Sequence, residues 1–277
     1  MIRADMHIHT YFSDGTASPA EVVAAAVGAG LGLVCVTDHD TMDGCGRVKE
    51  LASAAGVRAV SGLEISAYAD VKVHVLGYGL DTSCAAYKNY YKNAVEGSFA
   101  RCYDVLAKLK ARGFNIPIDK VLAERREVST PVHSMFICRA AAKLGYASSA
   151  GAFYMSYLVE GKCAHSRLGR LTPGQAVKVI ADCGGISSLA HPGRINMQRE
   201  AKEQLIKTLK SNGLNGIEAV YSGHTESETV YYKEIARSLG LYVTGGSDTH
   251  SLHGGGRSVG VPEFYPDSAL LDALKNY

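Results

Sequence analysis

The chain has 277 residues, 47% of them hydrophobic, which is enough for one large core or for a barrel carrying an insertion. Its net charge of +2 excludes a uniformly basic surface of the kind that holds nucleic acid or a membrane. Seven cysteines without a C-x-x-C pattern read as reduced thiols of a cytoplasmic protein rather than as a disulfide framework.

Strand and helix signals alternate from the start. Residues 3–9 read as a first strand, with no signal-peptide pattern before it. Ser18-Pro19-Ala20-Glu21 is a capping box with proline at the first helical position, opening a helix to about Gly30. The apolar stretch 22–36 is shorter than the ~20 residues of a membrane span and is broken by glycines. Residues 33–37 form a second strand, which gives way to Asp38-His39-Asp40. A helix over 44–55 ends at Gly56, a strand over 58–63 delivers Glu64, and a strand over 71–78 carries His74 inside it.

From about residue 83 to 170 the strand signal stops. Helical spacing runs over 87–112, then in shorter pieces over 118–125, 132–144 and 150–158. The expected organisation is therefore an α/β chain in three parts, with barrel segments 1–83 and 171–277 flanking an inserted helical subdomain, 84–170. Residues 85–172 hold fourteen Lys or Arg against six Asp or Glu, so this region is +8 while the remainder is −6. That contrast suits either a solvated helical surface or a basic lid over an anionic substrate.

The alternation then returns. Thr172-Pro173-Gly174-Gln175 caps a helix, and a strand over 185–190 ends in His191-Pro192-Gly193-Arg194. A helix over 201–212 precedes a strand over 216–220, followed by Tyr221-Ser222-Gly223-His224. The box Thr225-Glu226-Ser227-Glu228 opens another helix, and the seventh strand, 241–246, delivers Ser247-Asp248-Thr249-His250. A last helix starts near Asp267.

The polar residues follow a positional rule. His7 and His9, Asp38 and His39, Glu64, His191, Tyr221, and Asp248 and His250 each come as an apolar run ends. In a barrel of parallel strands all those ends open on one face, which carries the active site. His7 and His9 are separated by one residue, so strand alternation puts both rings on one side, and Asp14 follows on a turn. Six of the ten histidines, with Asp14, Glu64 and Asp248, thus meet at one place, and burying them without a cation would cost several kcal/mol per uncompensated charge.

The fragments D-M-H-I-H-T-Y-F-S-D-G, V-T-D-H-D, S-G-L-E, H-V-L-G-Y, L-A-H-P-G-R and G-G-S-D-T-H, in this order, resemble the PHP (polymerase and histidinol phosphatase) family of metal-dependent phosphoesterases. The resemblance implies a distorted seven-stranded (β/α)7 barrel with three divalent ions. It assigns His7, His9, Glu64 and Asp248 to one ion, Asp14, His39 and His250 to a second, and His74 and His191 to a third, with Glu64 bridging. The insertion is similar to the branch of nucleoside 3′,5′-bisphosphate phosphatases and a 5′-to-3′ exoribonuclease. Members of that branch carry R-P-H there, whereas Pro131-Val132-His133 keeps the histidine without the arginine.

Imidazole and carboxylate ligands without cysteine suit manganese, iron or zinc. Clustered dications would deprotonate a water near pH 7 and neutralise the phosphoryl oxygens. Arg194 is the expected phosphate clamp because a guanidinium fork matches phosphate oxygens, and His224 the expected aid to the leaving group. His133 and Arg101 are further substrate contacts from the lid, and Asp38 and Asp40 are expected to orient ligand histidines. The expected substrate is a small phosphorylated molecule, a nucleotide or short RNA end, with no membrane and no stable protein partner. The rivals are a histidinol-phosphatase-type monoesterase, a non-catalytic PHP module, and metal-dependent amide hydrolysis.

Overall fold

The computed structural model describes residues 1–253 and 256–277. Seven strands form one sheet in sequence order: β1 (Ala4–Ile8), β2 (Leu33–Val36), β3 (Arg58–Tyr68), β4 (Lys72–Tyr78), β5 (Ile186–Leu189), β6 (Gly216–Tyr221) and β7 (Tyr242–Gly246). The sheet curls until its edges meet, where Asp248 N donates to His7 O at 2.7 Å and His9 N to Thr249 O at 2.9 Å. The result is a nearly closed barrel.

Helices α1 (Pro19–Gly28) and α2 (Cys45–Ala54) link the first three strands, α7 (Pro173–Asp182) leads into β5, and α8 (Arg199–Ser211) and α9 (Glu226–Leu239) link the last three. The capping boxes at Ser18, Thr172 and Thr225 are all formed, so each of these helices starts where its sequence signal does. Val22, Val23 and Ala26 of α1 pack with Val48 and Ala52 of α2 on Ile8, Val34 and Val36. At the starts of the parallel strands, Leu33, Cys35 and Val60 pack with Leu270 and Leu274, which brings α10 (Ser268–Ala273) against the end opposite the strand C-termini.

The strands are not all parallel. β4 runs antiparallel to both β3 and β5. Only three residues separate β3 from β4, and a parallel crossover needs a dozen or more. This corrects the expectation that every site residue leaves the C-terminal end of a parallel strand. β3 continues past Glu64 to Tyr68, so Glu64 lies within the ladder, and His74 stands opposite Ser66 near the start of β4.

Between β4 and β5 lie α3 (Ala85–Lys110), α4 (Ile118–Leu122), α5 (Ser134–Lys143) and α6 (Ala150–Phe153), the last running into one π-helical turn, Tyr154–Leu158. Their apolar residues, among them Leu109, Phe136, Ile137 and Phe153, form a cluster of their own. The first turns of α3 belong instead to the barrel, where Tyr87 and Tyr90 join the cluster of Val177 and Ile180. Cys84 and Cys183 are disulfide-bonded, tying the N-cap of α3 to the C-cap of α7, with Cα atoms 5.8 Å apart. This corrects the reading of all seven cysteines as reduced thiols; a pair 99 residues apart leaves no spacing pattern to read. Among the described residues, no helix is long and apolar enough to cross a membrane.

Three non-glycine residues have positive φ among those described: Asp40 at 60°, His191 at 27° and Asp248 at 54°. His191 and Asp248 line the barrel mouth, and Asp40 follows His39, which lines it too.

Candidate metal centre

The end of β1 brings His7 and His9 together, while Asp5 turns its carboxylate to the backbone N–H groups of His7, Ser247 and Gly260. His7 Nε2 and His9 Nε2 stand 3.2 Å apart. Each is also near Glu64 Oε2, at 3.4 and 3.3 Å, and near Asp248 Oδ1, at 3.6 and 3.3 Å. Four ligand atoms about 2.1 Å from a shared centre in a tetrahedron are about 3.4 Å from one another, so this cage fits a first-row divalent cation. A second group places His9, Asp14, His39 and His250 within 4.8 Å of one another, and a third does so for His39, Glu64 and His74. His191 joins the third from the far side, its Nε2 at 2.9 Å from Glu64 Oε1.

The donor set is built for cations rather than for itself. Asp14 Oδ1, Glu64 Oε2 and His74 Nε2 are buried without a hydrogen-bond partner, an arrangement that costs free energy unless something else fills the gap. Burial opposes ionisation of Glu64, yet His74, His39 and His7 outweigh it and hold its pKa well below the usual carboxylate range. Asp14 and Asp248 are depressed in the same way by the imidazoles around them. Burial pushes His74 down to about 3 and His39 well below the ordinary imidazole value. Ionised carboxylates beside neutral imidazoles are the protonation states that coordination requires. His7 and His9 differ. Burial disfavours their charged forms, but Glu218, Glu64 and Asp248 raise His7 well above the imidazole range, and hydrogen bonds to Asp248 and Glu64 raise His9 to about 10. These two rings sit where the site most wants positive charge.

Groups behind the ligands fix their direction. Glu218, fully buried on β6, takes His7 Nδ1 at 2.9 Å and His191 N at 2.7 Å, leaving Nε2 of His7 facing the cage. Asp248 Oδ2 is held by Tyr221 at 3.0 Å and by Arg257, with Arg194 at 3.5 Å, so Oδ1 is the oxygen turned toward His7 and His9. Asp38 and Asp40 do not hydrogen-bond ligand rings. Asp38 holds Thr10 and Ser13 in the loop after β1, while Asp40 holds Ser66 N, Tyr90 and Arg170, so both act on backbone and loops instead.

The mouth opens into a cavity of about 700 Å³, which Arg194, Arg257, Lys72, Arg139 and Arg170 border along with the ligands. His133, the N-cap of α5, lines it too, stacked on His39 at 4.8 Å between ring centres and 3.2 Å from Asp14 Oδ2. Two expected substrate contacts are placed elsewhere. Both ring nitrogens of His224 are engaged by backbone, with Gly193 N at 3.0 Å and Ala219 O at 3.1 Å, so this ring braces the loop that carries His191 and Arg194. Arg101 is buried, donates to Leu168 O at 2.6 Å and lines a separate cavity. Sequence reasoning missed Glu218 and Arg257. The first had a signal, an acid inside the apolar run of β6; the second, which follows three glycines in the sequence, had none.

Residues 5–147 match the PHP domain model. The chain is 30% identical over 269 residues to a 3′,5′-nucleoside bisphosphate phosphatase of Chromobacterium violaceum, covering 96% of this chain and 93% of that one. It is also 30% identical to a phosphoribosyl 1,2-cyclic phosphate 1,2-diphosphodiesterase of Eggerthella lenta, over 90% and 95% of the two chains. A solved Bifidobacterium adolescentis protein assigned as a metal-dependent phosphoesterase superposes with a TM-score of 0.84 at 27% identity, covering 99% and 94%. The chain belongs to the PHP domain family. It is an enzyme of the metal-dependent phosphoesterase class.

Proposed function

We propose that this chain hydrolyses a phosphate ester of a nucleotide-like substrate: a nucleoside 3′,5′-bisphosphate, a nucleoside monophosphate or a short 5′-phosphorylated RNA. The observation that carries the reading is Glu64, one buried carboxylate within 3.4 Å of His7, His9, His39, His74 and His191, a bridge with more imidazoles around it than one ion can use. His7, His9, Glu64 and Asp248 would hold one divalent ion, Asp14, His39 and His250 a second, and His74 and His191 with Glu64 a third, as manganese, iron or zinc. Bound divalent ions supply an acidified water and charge neutralisation for the phosphoryl group.

The chain's own residues do the rest. Arg194 is half exposed at the cavity wall and offers a planar fork to phosphoryl oxygens, its position set by Tyr221 at 3.1 Å. His133 presents an imidazole held neutral, its pKa lowered to about 4 by burial, and so able to hydrogen-bond a substrate without repelling the ions. Helices α3 to α6 form a cover over the mouth, contributing His133 and Arg139, and the aromatic rings of Tyr68 and Tyr154 on the cavity wall suit a flat base. The similarity to a nucleoside bisphosphate phosphatase and a phosphoribosyl diphosphodiesterase supports a sugar phosphate over other esters.

Phosphate release by the manganese-loaded protein, measured across those three substrates and histidinol phosphate, tests this. A nucleotide is expected to turn over fastest, and His9→Ala to turn over nothing. Full turnover by a folded His9→Ala protein, or histidinol phosphate as the best substrate, overturns the reading.

A further inference from the structure

A second cavity, about 240 Å³, lies between α3 and the segment leading into α7, behind the barrel mouth. Its polar lining includes Asp40, Asn89, Tyr90, Asn93, Arg101 and Arg170. Two features set it apart from an ordinary packing defect.

The first is unspent donors. Arg101 is 5% exposed and uses only Nη1 on the protein, toward Leu168 O at 2.6 Å and Gly97 O at 3.5 Å. Arg170 likewise uses only Nη1, toward Asp40 Oδ2 at 2.8 Å and Ser66 O at 3.3 Å. Nε and Nη2 of both guanidiniums have no protein partner among the described residues, so two forks remain open. A clasp between α3 and the 165–171 segment accounts for one nitrogen of Arg101 and for none of the others.

The second is charge. Asp40 is the one acid among the lining residues, and its oxygens are already taken by Ser66 N, Tyr90 and Arg170. Two cations facing one committed carboxylate leave the cavity net positive, and burial with the like charge of Arg170 lowers Arg101 to about 9. An anion would relieve that repulsion, and two guanidinium forks match the oxygens of a tetrahedral oxyanion.

We propose that this second cavity binds a phosphate-class oxyanion, gripped between Arg101 and Arg170, with Asn89 and Asn93 on successive turns of α3 at its mouth. Arg170 lines both cavities. The anion would therefore share a residue with the larger cavity and sit one residue from His39 through Asp40. The site is separate from the ions of the proposed chemistry and does not depend on which ester is cleaved.

Titrating inorganic phosphate into the metal-loaded full-length protein by calorimetry tests the proposal. The wild type is expected to take up a second phosphate beyond that at the metal centre, and Arg101→Gln to lose only this second one. A single binding event in the wild type, or two in a folded Arg101→Gln protein, overturns it. Should Arg101→Gln fail to fold, Asn93→Asp decides, because Asn93 is exposed and the change only sets a carboxylate at the cavity mouth. At least tenfold weaker binding of the second phosphate, with turnover unchanged, is expected; unaltered binding overturns the site.

Discussion

The barrel mouth and the helical segment over it are stabilised in opposite ways. At the mouth, His7, His9, Glu64 and Asp248 are all under 4% exposed, and ionisable groups face one another at hydrogen-bond distances. In the helical segment the buried side chains are mostly apolar, with Leu109, Phe136 and Phe153 nearly inaccessible and Arg101 a buried charge among them. The segment can fold by ordinary burial of hydrocarbon, whereas the mouth crowds buried ionisable groups, with Asp14 Oδ1, Glu64 Oε2 and His74 Nε2 left without a hydrogen-bond partner. On the proposed reading, reactivity belongs to the mouth and selectivity to the cover.

The largest effect should come from breaking the mouth. Asp248→Ala removes a proposed ligand that Tyr221 and Arg257 hold in place, and phosphate release should fall by about a thousandfold or more, since each lost tenfold is about 1.4 kcal/mol of transition-state stabilisation. Circular dichroism should show the barrel intact; turnover within tenfold of wild type would remove Asp248 from the chemistry. Phe153→Ala, in the apolar cluster of the cover, should cost about 3–5 kcal/mol of stability by thermal or denaturant unfolding. It should leave metal affinity at the mouth unchanged, and parallel losses of both would dissolve the distinction between the two regions. Glu218→Gln, which loosens the grip on His7, should lower metal affinity about 10–100-fold, read by competition with a chelating dye.

The smallest effect concerns protons. In the metal-free protein His9 is raised to about 10, burial being outweighed by Asp248 and Glu64, so its ring is charged at pH 7.5. Because the folded value exceeds the unfolded one, this pairing contributes fully below about pH 6.5 and is lost as pH rises toward about 10. A coordinating imidazole must be neutral, so metal uptake at pH 7.5 should release about one proton from His9. Calorimetric heats that do not vary with the ionisation enthalpy of the buffer would contradict this.

Much of this arrangement was legible because each signal is local. Ser18, Thr172 and Thr225 announce their helices through side chains three residues apart, and His7-x-His9 announces a shared face through the period of a strand. Direction was not legible in the same way, since alternation reads alike in both senses; the short gap from β3 to β4 was the available clue that His74 enters from an antiparallel strand. Pairings across the fold left less. Nothing near Cys84 points to Cys183, 99 residues further on, and the basic excess of 85–172 does not tell that Arg101 lines a separate cavity. The bracing of His224 on Gly193 and Ala219 was not legible either, because a histidine after a strand carries no mark of which backbone groups its nitrogens will meet.

Asp40, His191 and Asp248 share the left-handed backbone region that side chains with a Cβ seldom occupy, at an expense on the order of 1–3 kcal/mol each. Glycine would sit there more comfortably. A search for heat-resistant variants would therefore be drawn to these three positions, and what it kept at His191 or Asp248 would be a sturdier protein stripped of its proposed ligands. Durability in this fold has a ceiling set by the residues around its reaction centre.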